Sequence, residues 1–261
     1  MNELVMVSLM ADNARPFYRA LGQYIDQNSA TRLRVVDDSD WLDREKMLDD
    51  GSAHLGFVCG LQYLHKPNLE LLAAPVMSGS RYAGRPVYYS DVLVASTSPY
   101  QRFGDLAGCT FAYNEATSHS GCNLIRFHLA RLGQDASFFG RILESGSHQR
   151  SLELILDDTA HATAIDSTVL ELEMIQRPEL RSTLRTIDTL GPSPIPPAVV
   201  SRKLPRRVKR ELRDLLVGMH DTDPGKAILN QWMMLRFARV SDRDYEPIRG
   251  MEEKAFQVSF P

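Results

Sequence analysis

The sequence predicts an α/β protein of two lobes, each a mainly parallel sheet flanked by helices, and three observations predict it. Strand-like apolar runs alternate with helix-like amphipathic stretches along nearly the whole chain, the order that builds βαβ units. That alternation breaks twice, at the glycine- and serine-rich stretch 77–86 and at Gly191-Pro192-Ser193-Pro194-Ile195-Pro196-Pro197, where helix is excluded. The length of 261 residues accommodates two domains of roughly 100–150 residues.

Residues 3–9 form the first apolar strand. No cationic segment precedes them and no long apolar run follows, so they do not read as a signal peptide. Phe17, Leu21, Tyr24 and Ile25 make a helical stripe, and 33–36 is a second short strand. A helix over 41–48 precedes the apolar strand 53–59, which stops at Gly60, and 69–77 is a fourth strand. After the first break, 87–96 reads as a long strand. A second series then follows: strand 109–112, helix 123–132, strand 138–143, helix 148–156, strand 162–165, helix 167–175 and strand 184–190. Beyond the proline-rich segment, Val199 and Val200 and a helical tail complete the chain. Two breaks imply two crossings, near 80–90 and 190–197. The expected lobes are therefore 1–85 plus 196–261, discontinuous, and 86–195, inserted, with a hinge and a ligand cleft between them.

Composition excludes several function classes. Lys+Arg 30 against Asp+Glu 33 gives a net charge of −3, unlike the basic footprint of a nucleic-acid binder. The local basic cluster Arg202, Lys203, Arg206, Arg207, Lys209 and Arg210 accompanies Val208, Leu212, Leu215, Leu216 and Met219 at helical spacing, so it reads as a helix's solvated face. With 43% hydrophobic residues the chain can bury a core without staples. Its three cysteines show neither metal-ligand nor disulfide spacing, and no apolar run reaches a membrane span. Nucleophile-elbow, phosphate-loop and zinc-helix motifs are absent. No cofactor, metal, nucleic acid or membrane insertion is expected.

The most informative stretch is Tyr113-Asn114-Glu115-Ala116-Thr117-Ser118-His119-Ser120-Gly121. It follows the apolar run 109–112 and leads into Ile125, Leu129 and Leu132 at helical spacing, with Gly133 placed as a C-terminal cap. Strand, hydroxyl-rich turn, helix is an arrangement that aims backbone amides and a positive dipole end at one point. Thr117, Ser118 and Ser120 add hydroxyl donors. An oxyanion would be held there without a lysine.

These residues and others in order resemble the substrate-binding proteins of phosphonate, phosphite and phosphate ABC transporters, which have the type 2 periplasmic-binding-protein fold. Gly51-Ser52-Ala53-His54-Leu55-Gly56-Phe57-Val58-Cys59-Gly60 is similar to that family's glycine-bounded strand. Tyr89-Ser90-Asp91-Val92-Leu93-Val94 resembles its first crossover strand, and Phe103-Gly104-Asp105-Leu106-Ala107-Gly108-Cys109 its approach to the second lobe. Gly146-Ser147-His148, Ala164-Ile165-Asp166-Ser167 and the proline-rich crossover complete the series.

The resemblance implies a small oxyanion ligand, a phosphonate, phosphite or phosphate ester, seated on Thr117, Ser118, His119, Ser120 and Gly121. Tyr89, or its neighbour Tyr88 on the opposite face of the strand, would add a hydroxyl, with Tyr89 the choice; His148 would add a further donor, and Asp166 a carboxylate facing the rest of the ligand, an ammonium in aminophosphonates. Ala11-Asp12-Asn13 and Cys59-Gly60 would form the opposing wall. His119, His54 and His161 depart from the family pattern, the last two standing where acidic residues are usual; His119 could add positive charge near pH 6–7 or could narrow the pocket. The resemblance also implies a periplasmic protein working with an ABC-transporter permease. Since no leader opens this sequence, a full gene product of this length would be cytoplasmic. The alternative is then an enzyme or sensor on the same fold, acting on a small carboxylate or phosphorylated metabolite, with His119, His148 or Asp166 as general base.

Overall fold

The computed structural model describes residues 3–260. In chain order the first elements are β1 (Glu3–Ser8), α1 (Arg15–Asn28), β2 (Arg32–Val36), α2 (Trp41–Asp50), β3 (Leu55–Phe57), α3 (Gly60–Leu64) and β4 (Leu69–Met77). Then come β5 (Val87–Ala95), β6 (Thr110–Tyr113), α4 (Leu124–Arg131), β7 (Arg141–Glu144), α5 (His148–Leu156), β8 (Ala162–Asp166), α6 (Ser167–Gln176), α7 (Leu180–Thr183) and β9 (Leu184–Pro194). The chain ends with β10 (Ala198–Ser201), α8 (Arg206–Val217), α9 (Asp223–Gln231), β11 (Met234–Ala238) and α10 (Glu246–Ala255). It divides into two compact units, residues up to 87 with 194–245, and 88–193 with 246 onward.

The first unit is built on a six-stranded sheet in the order β11-β4-β10-β3-β1-β2. Strand β1 is parallel to β2 and β3, while β10 and β11 run antiparallel to their neighbours. Strand β1 is buried on both faces, which explains its unbroken apolar run. Leu4 and Met6 pack with Phe17, Leu21 and Ile25 of α1 and with Leu212 and Leu216 of α8. The basic helix α8 keeps Arg206, Arg207 and Arg210 in solvent as expected. Lys209 departs from that pattern: it is buried, and its ammonium donates to Glu70 at 2.8 Å and to the Arg202 carbonyl at 3.1 Å. The expected helical tail is also interrupted, because 234–238 extends along β4 as a strand.

The second unit carries a five-stranded sheet in the order β7-β6-β8-β5-β9. Strand β6 is parallel to β7 and β8, and β5 is antiparallel to β8. Its core stacks Phe111 on Phe139, centroids 4.5 Å apart, over Ile125 and Leu129. Gly133 takes φ +67, the left-handed conformation its capping position requires. Cys109 and Cys122 are buried apolar residues whose thiols burial pushes up to about 12 and about 11; Cys59 is half-buried. The sequence reading allotted 246–261 to the first lobe. Instead α10 packs on α4, Val258 and Phe260 join the core of the second unit, and the Arg126 guanidinium donates to the Val258 carbonyl at 2.5 Å.

His54 and His161 have matching jobs in the two units. The Nδ1 of His54 accepts the amide of Val5 at 3.1 Å, and the Nδ1 of His161 accepts that of Thr110 at 3.0 Å. In each case the histidine's own amide returns a bond to the same strand residue. A neutral imidazole thus fills an acceptor position that a carboxylate could also fill. Each ties the turn that leads into one strand, β3 or β8, to the neighbouring strand, β1 or β6.

Candidate anion-binding site

All eight residues singled out in the sequence lie in the second unit. Strands β6, β7 and β8 run parallel, so their C-terminal ends share one edge of the sheet, and each leads there into the start of a helical segment. Such an edge concentrates the positive ends of helix dipoles. Strand β5 runs the other way, so its beginning reaches the same edge, with Ser90 paired opposite Asp166.

The turn after β6 is wider than an ordinary helix start. The amide of Asn123 donates to the Ser118 carbonyl, five residues back, at 3.0 Å, and the amide of Leu124 donates to His119. This π-type turn over His119–Asn123 runs directly into α4. Ser118 is its N-cap: the Oγ accepts the Gly121 amide at 3.1 Å, leaving the hydroxyl proton to donate elsewhere. Gly121 stands there because a side chain would not fit; a Cβ would lie 2.0 Å from Asn114 Oδ1. The Ser120 carbonyl is held by the Ser90 hydroxyl at 2.8 Å.

Ser120 Oγ and His148 Nε2 are 3.2 Å apart. His148 opens α5 directly after its N-cap Ser147. Its Nδ1 is buried and has no hydrogen-bond partner. A bare ring nitrogen is a cheaper orphan than an unpaired N–H, so the network assigns the proton to Nε2, donating to Ser120. The Ser120 hydroxyl proton is then available to a ligand. Burial lowers the His148 pKa to about 4, so the ring is neutral near pH 7. No carboxylate orients Nδ1, so Ser120, His148 and Asp166 do not form a hydrolytic triad.

His119 is placed differently from the expectation of a titrating, pocket-lining ring. It is 0% exposed, with Nε2 3.0 Å from Ser193 Oγ and Nδ1 3.0 Å from Asn123 Nδ2. The Asn123 amide is the donor in the second contact, so His119 carries its proton on Nε2 and donates to Ser193. Burial drives its pKa to about 3. It supplies no positive charge near pH 6–7; it fastens the turn to β9.

Asp166 ends β8 and caps α6, its Oδ1 accepting the Thr168 amide at 2.7 Å and hydroxyl at 2.6 Å. It is 4% exposed, and burial raises its pKa to about 6 despite those bonds. Tyr88 and Tyr89 alternate faces, as a strand requires. Tyr88 is buried, its ring 6.3 Å from that of His119, whereas Tyr89 is half-buried and its amide donates to Ser167 Oγ at 3.1 Å. Thr117 is exposed at the tip of the turn.

The structure thus joins Ser118, Ser120, Gly121 and His148 in one network, with Asp166 on the adjoining strand end. Ser90, Asn123 and Ser193 hold the turn by hydrogen bonds and Asn114 packs closely against Gly121; all four were missed in the sequence. Only Asn114 had a signal, as a polar residue inside the informative stretch. Ser90 and Ser193 come from separate strands and Asn123 from the end of the π-type turn, and they reveal themselves only through contacts. Among the described residues, no group of three or more His, Cys, Asp or Glu is placed to hold a metal ion, and no helix is long and apolar enough to cross a membrane.

Residues 6–245 match the family described as ABC transporter, phosphonate, periplasmic substrate-binding protein. The fold is similar to that of a binding-protein component of an ABC phosphonate transporter from Pseudomonas aeruginosa, with a TM-score of 0.85, 16% identity, and 98% of this chain and 87% of that chain covered. It is equally similar to PhnD1 from Prochlorococcus marinus in complex with methylphosphonate, with a TM-score of 0.85, 16% identity, and coverage of 98% and 99%. The aliphatic sulphonate-binding protein SsuA from Escherichia coli is a more distant likeness, with a TM-score of 0.62, 13% identity, and coverage of 98% and 87%. These are type 2 periplasmic-binding-protein folds, and the family consists of substrate-binding proteins, not enzymes.

Proposed function

We propose that this chain, which belongs to the family of periplasmic substrate-binding proteins of phosphonate ABC transporters, captures a small phosphorus oxyanion on the turn Ser118–Gly121 and delivers it to a membrane permease. The observation that carries this reading is the hydroxyl pair. Ser118 and Ser120 each have their oxygen engaged within the protein, by the Gly121 amide and by His148, so both hydroxyl protons are left to donate. Together with the amides at the positive end of a helix, they form a set of neutral donors. Tyr89 and Thr117 would extend that set.

Selectivity follows from neutrality. With no lysine or arginine in the set, attraction by net charge is weak and each donor must be matched by an acceptor. A ligand of the wrong size leaves a donor unpaired at a cost of about 1–3 kcal/mol. Asp166 would shape the other end of the ligand. A buried carboxylate repels a bare dianion but pairs with an ammonium, so an aminoalkylphosphonate satisfies both ends. The fold's likeness to a methylphosphonate-bound protein supports the phosphonate class.

Isothermal titration calorimetry with methylphosphonate, 2-aminoethylphosphonate, phosphite, phosphate and sulfate tests the reading. The double variant Ser118→Ala/Ser120→Ala should bind the preferred phosphorus oxyanion about tenfold or more weakly while keeping its fold. Unchanged affinity would remove the turn from the site. Asp166→Asn should weaken 2-aminoethylphosphonate far more than methylphosphonate; equal losses would deny Asp166 the amine.

A further inference from the structure

The basic residues around the start of α8 form a charged surface that the anion site does not use. Strands β1, β2 and β3 run parallel, while β10 runs against β3 and ends at Ser201. The turn 202–205 and the start of α8 therefore lie at the sheet edge where β1, β2 and β3 begin. Residues 11–13 and 59–60, the expected ligand wall, follow the opposite ends of β1 and β3. Arg202, Lys203, Arg206, Arg207 and Arg210 are exposed, as is Lys46 of α2. Among the described residues, Lys46, Arg202, Lys203, Arg206 and Arg210 make no ion pair within 4.0 Å. The nearby acids are already engaged. Asp50, within electrostatic reach of Lys46 and Lys203, accepts the Ser52 amide at 2.8 Å. Glu211 accepts the Ala30 amide at 2.7 Å and faces Arg207 at 3.7 Å.

Helix stability does not account for these charges. Cations in a first turn oppose the helix dipole, and α8 has neither an acidic residue there nor a capping side chain. Segments 46–50 and 202–210 contain no aromatic residue and none of the exposed large hydrophobic residues. They lack the apolar centre of a protein interface and the stacking platform of a nucleic-acid site. Clusters of about four to eight Lys and Arg do attract anionic headgroups, each charge adding to the binding, and guanidinium matches phosphate. The whole chain carries a net charge of −3, so the rest of its surface holds the excess of acid and is repelled by the same lipids. We propose that this face of the first unit docks peripherally, in one orientation, on a membrane surface of anionic phospholipid. Leu212 and Leu216 are committed to the core, so α8 has no apolar face free to insert and the contact is electrostatic. Holding the protein at a membrane would serve the proposed delivery to a permease, but the docking itself does not depend on that reading.

The test is co-sedimentation of the full chain with vesicles of phosphatidylcholine alone and of phosphatidylcholine mixed equally with phosphatidylglycerol. The protein should pellet with the mixed vesicles only, and be released as ionic strength rises from about 0.1 M to about 1 M. Arg206→Gln/Arg210→Gln should bind the mixed vesicles about tenfold or more weakly at an unchanged melting temperature, while Arg206→Lys/Arg210→Lys should bind nearly as well as the unaltered protein. Removing two exposed charges from the second unit, Arg141→Gln/Arg181→Gln, should leave binding unchanged. Ser118→Ala/Ser120→Ala should sediment like the unaltered protein, so failure of this docking and failure of the anion site are read separately. Absence of pelleting with the mixed vesicles overturns the proposal, as does equal pelleting with both kinds. An equal loss in the Arg141/Arg181 variant would reduce the effect to net charge and overturn it too. So would binding of duplex DNA as tight as that of the vesicles at the same salt, which would make the face a general polyanion surface.

Discussion

Asp166→Asn separates the energetic cost of a buried carboxylate from its capping role. Burial holds the Asp166 pKa at about 6 where 3.8 is usual. Each tenfold displacement of an acid equilibrium is worth ~1.4 kcal/mol, so the ionised folded protein carries a penalty of about 3 kcal/mol relative to its unfolded chain. Because the folded value lies above the unfolded one, the favourable contribution is complete below 3.8 and is lost as pH rises through about 6. Asparagine keeps Oδ1, and with it the cap to the Thr168 amide and hydroxyl. The stability of Asp166→Asn relative to the unaltered protein should therefore grow by about 2.5 kcal/mol between roughly pH 4 and pH 7.5. Urea denaturation across that range measures the gap, and the histidines titrate in both proteins and cancel in the difference. A gap that does not change with pH would refute the reasoning, because it would mean that the carboxyl titrates normally. A protein that keeps such a group at its candidate site gives up stability where a ligand's cation would restore it.

Gly121→Ala should destabilise by about 1–3 kcal/mol through overpacking, because the new methyl must displace Asn114 Oδ1 from 2.0 Å; thermal unfolding near the native value would contradict the close approach. His119 and His148, held at about 3 and about 4 against 6.5, contribute stability that is present above 6.5 and lost as pH falls toward those values. His119→Gln should make the acid limb of the stability profile shallower, and an unaltered limb would show that the ring is not buried neutral. Lys209→Met should cost about 2 kcal/mol by stranding the half-buried Glu70, and adding Glu70→Leu should recover most of it. Denaturant titrations that show no recovery would mean that Lys209 acts by packing alone.

The legible part of this chain was whatever repeats locally. The stripe Phe17, Leu21, Ile25 marked α1, the continuous apolar runs marked β1 and β4, and a serine pair between a strand and an amphipathic helix marked the turn at 118–121. Periodicity could not reveal that β10 and β11 run antiparallel, because strand direction depends on which edge the chain returns to. Nor could it send residues 246–260 to the second unit, since α10 is amphipathic and would pack on either core. Ser120 and His148 were chosen from their motifs 28 residues apart, and their 3.2 Å contact was not in either motif.

By itself the sequence determined the α/β class, the order of the main elements up to the second crossover, the family and the turn with its hydroxyls, because each is written in residues close together along the chain. Only the tertiary structure decided the state of the titrating groups. His119 looked like a pH-sensitive ligand residue until Ser193, 74 positions away, and Asn123 took both ring nitrogens. Asp166 was placed by its motif as a carboxylate facing a ligand, but that burial raises its pKa to about 6 was not in the motif. Charge, protonation and pairing depend on desolvation, which sums over atoms from the whole surrounding fold and which no stretch of sequence contains.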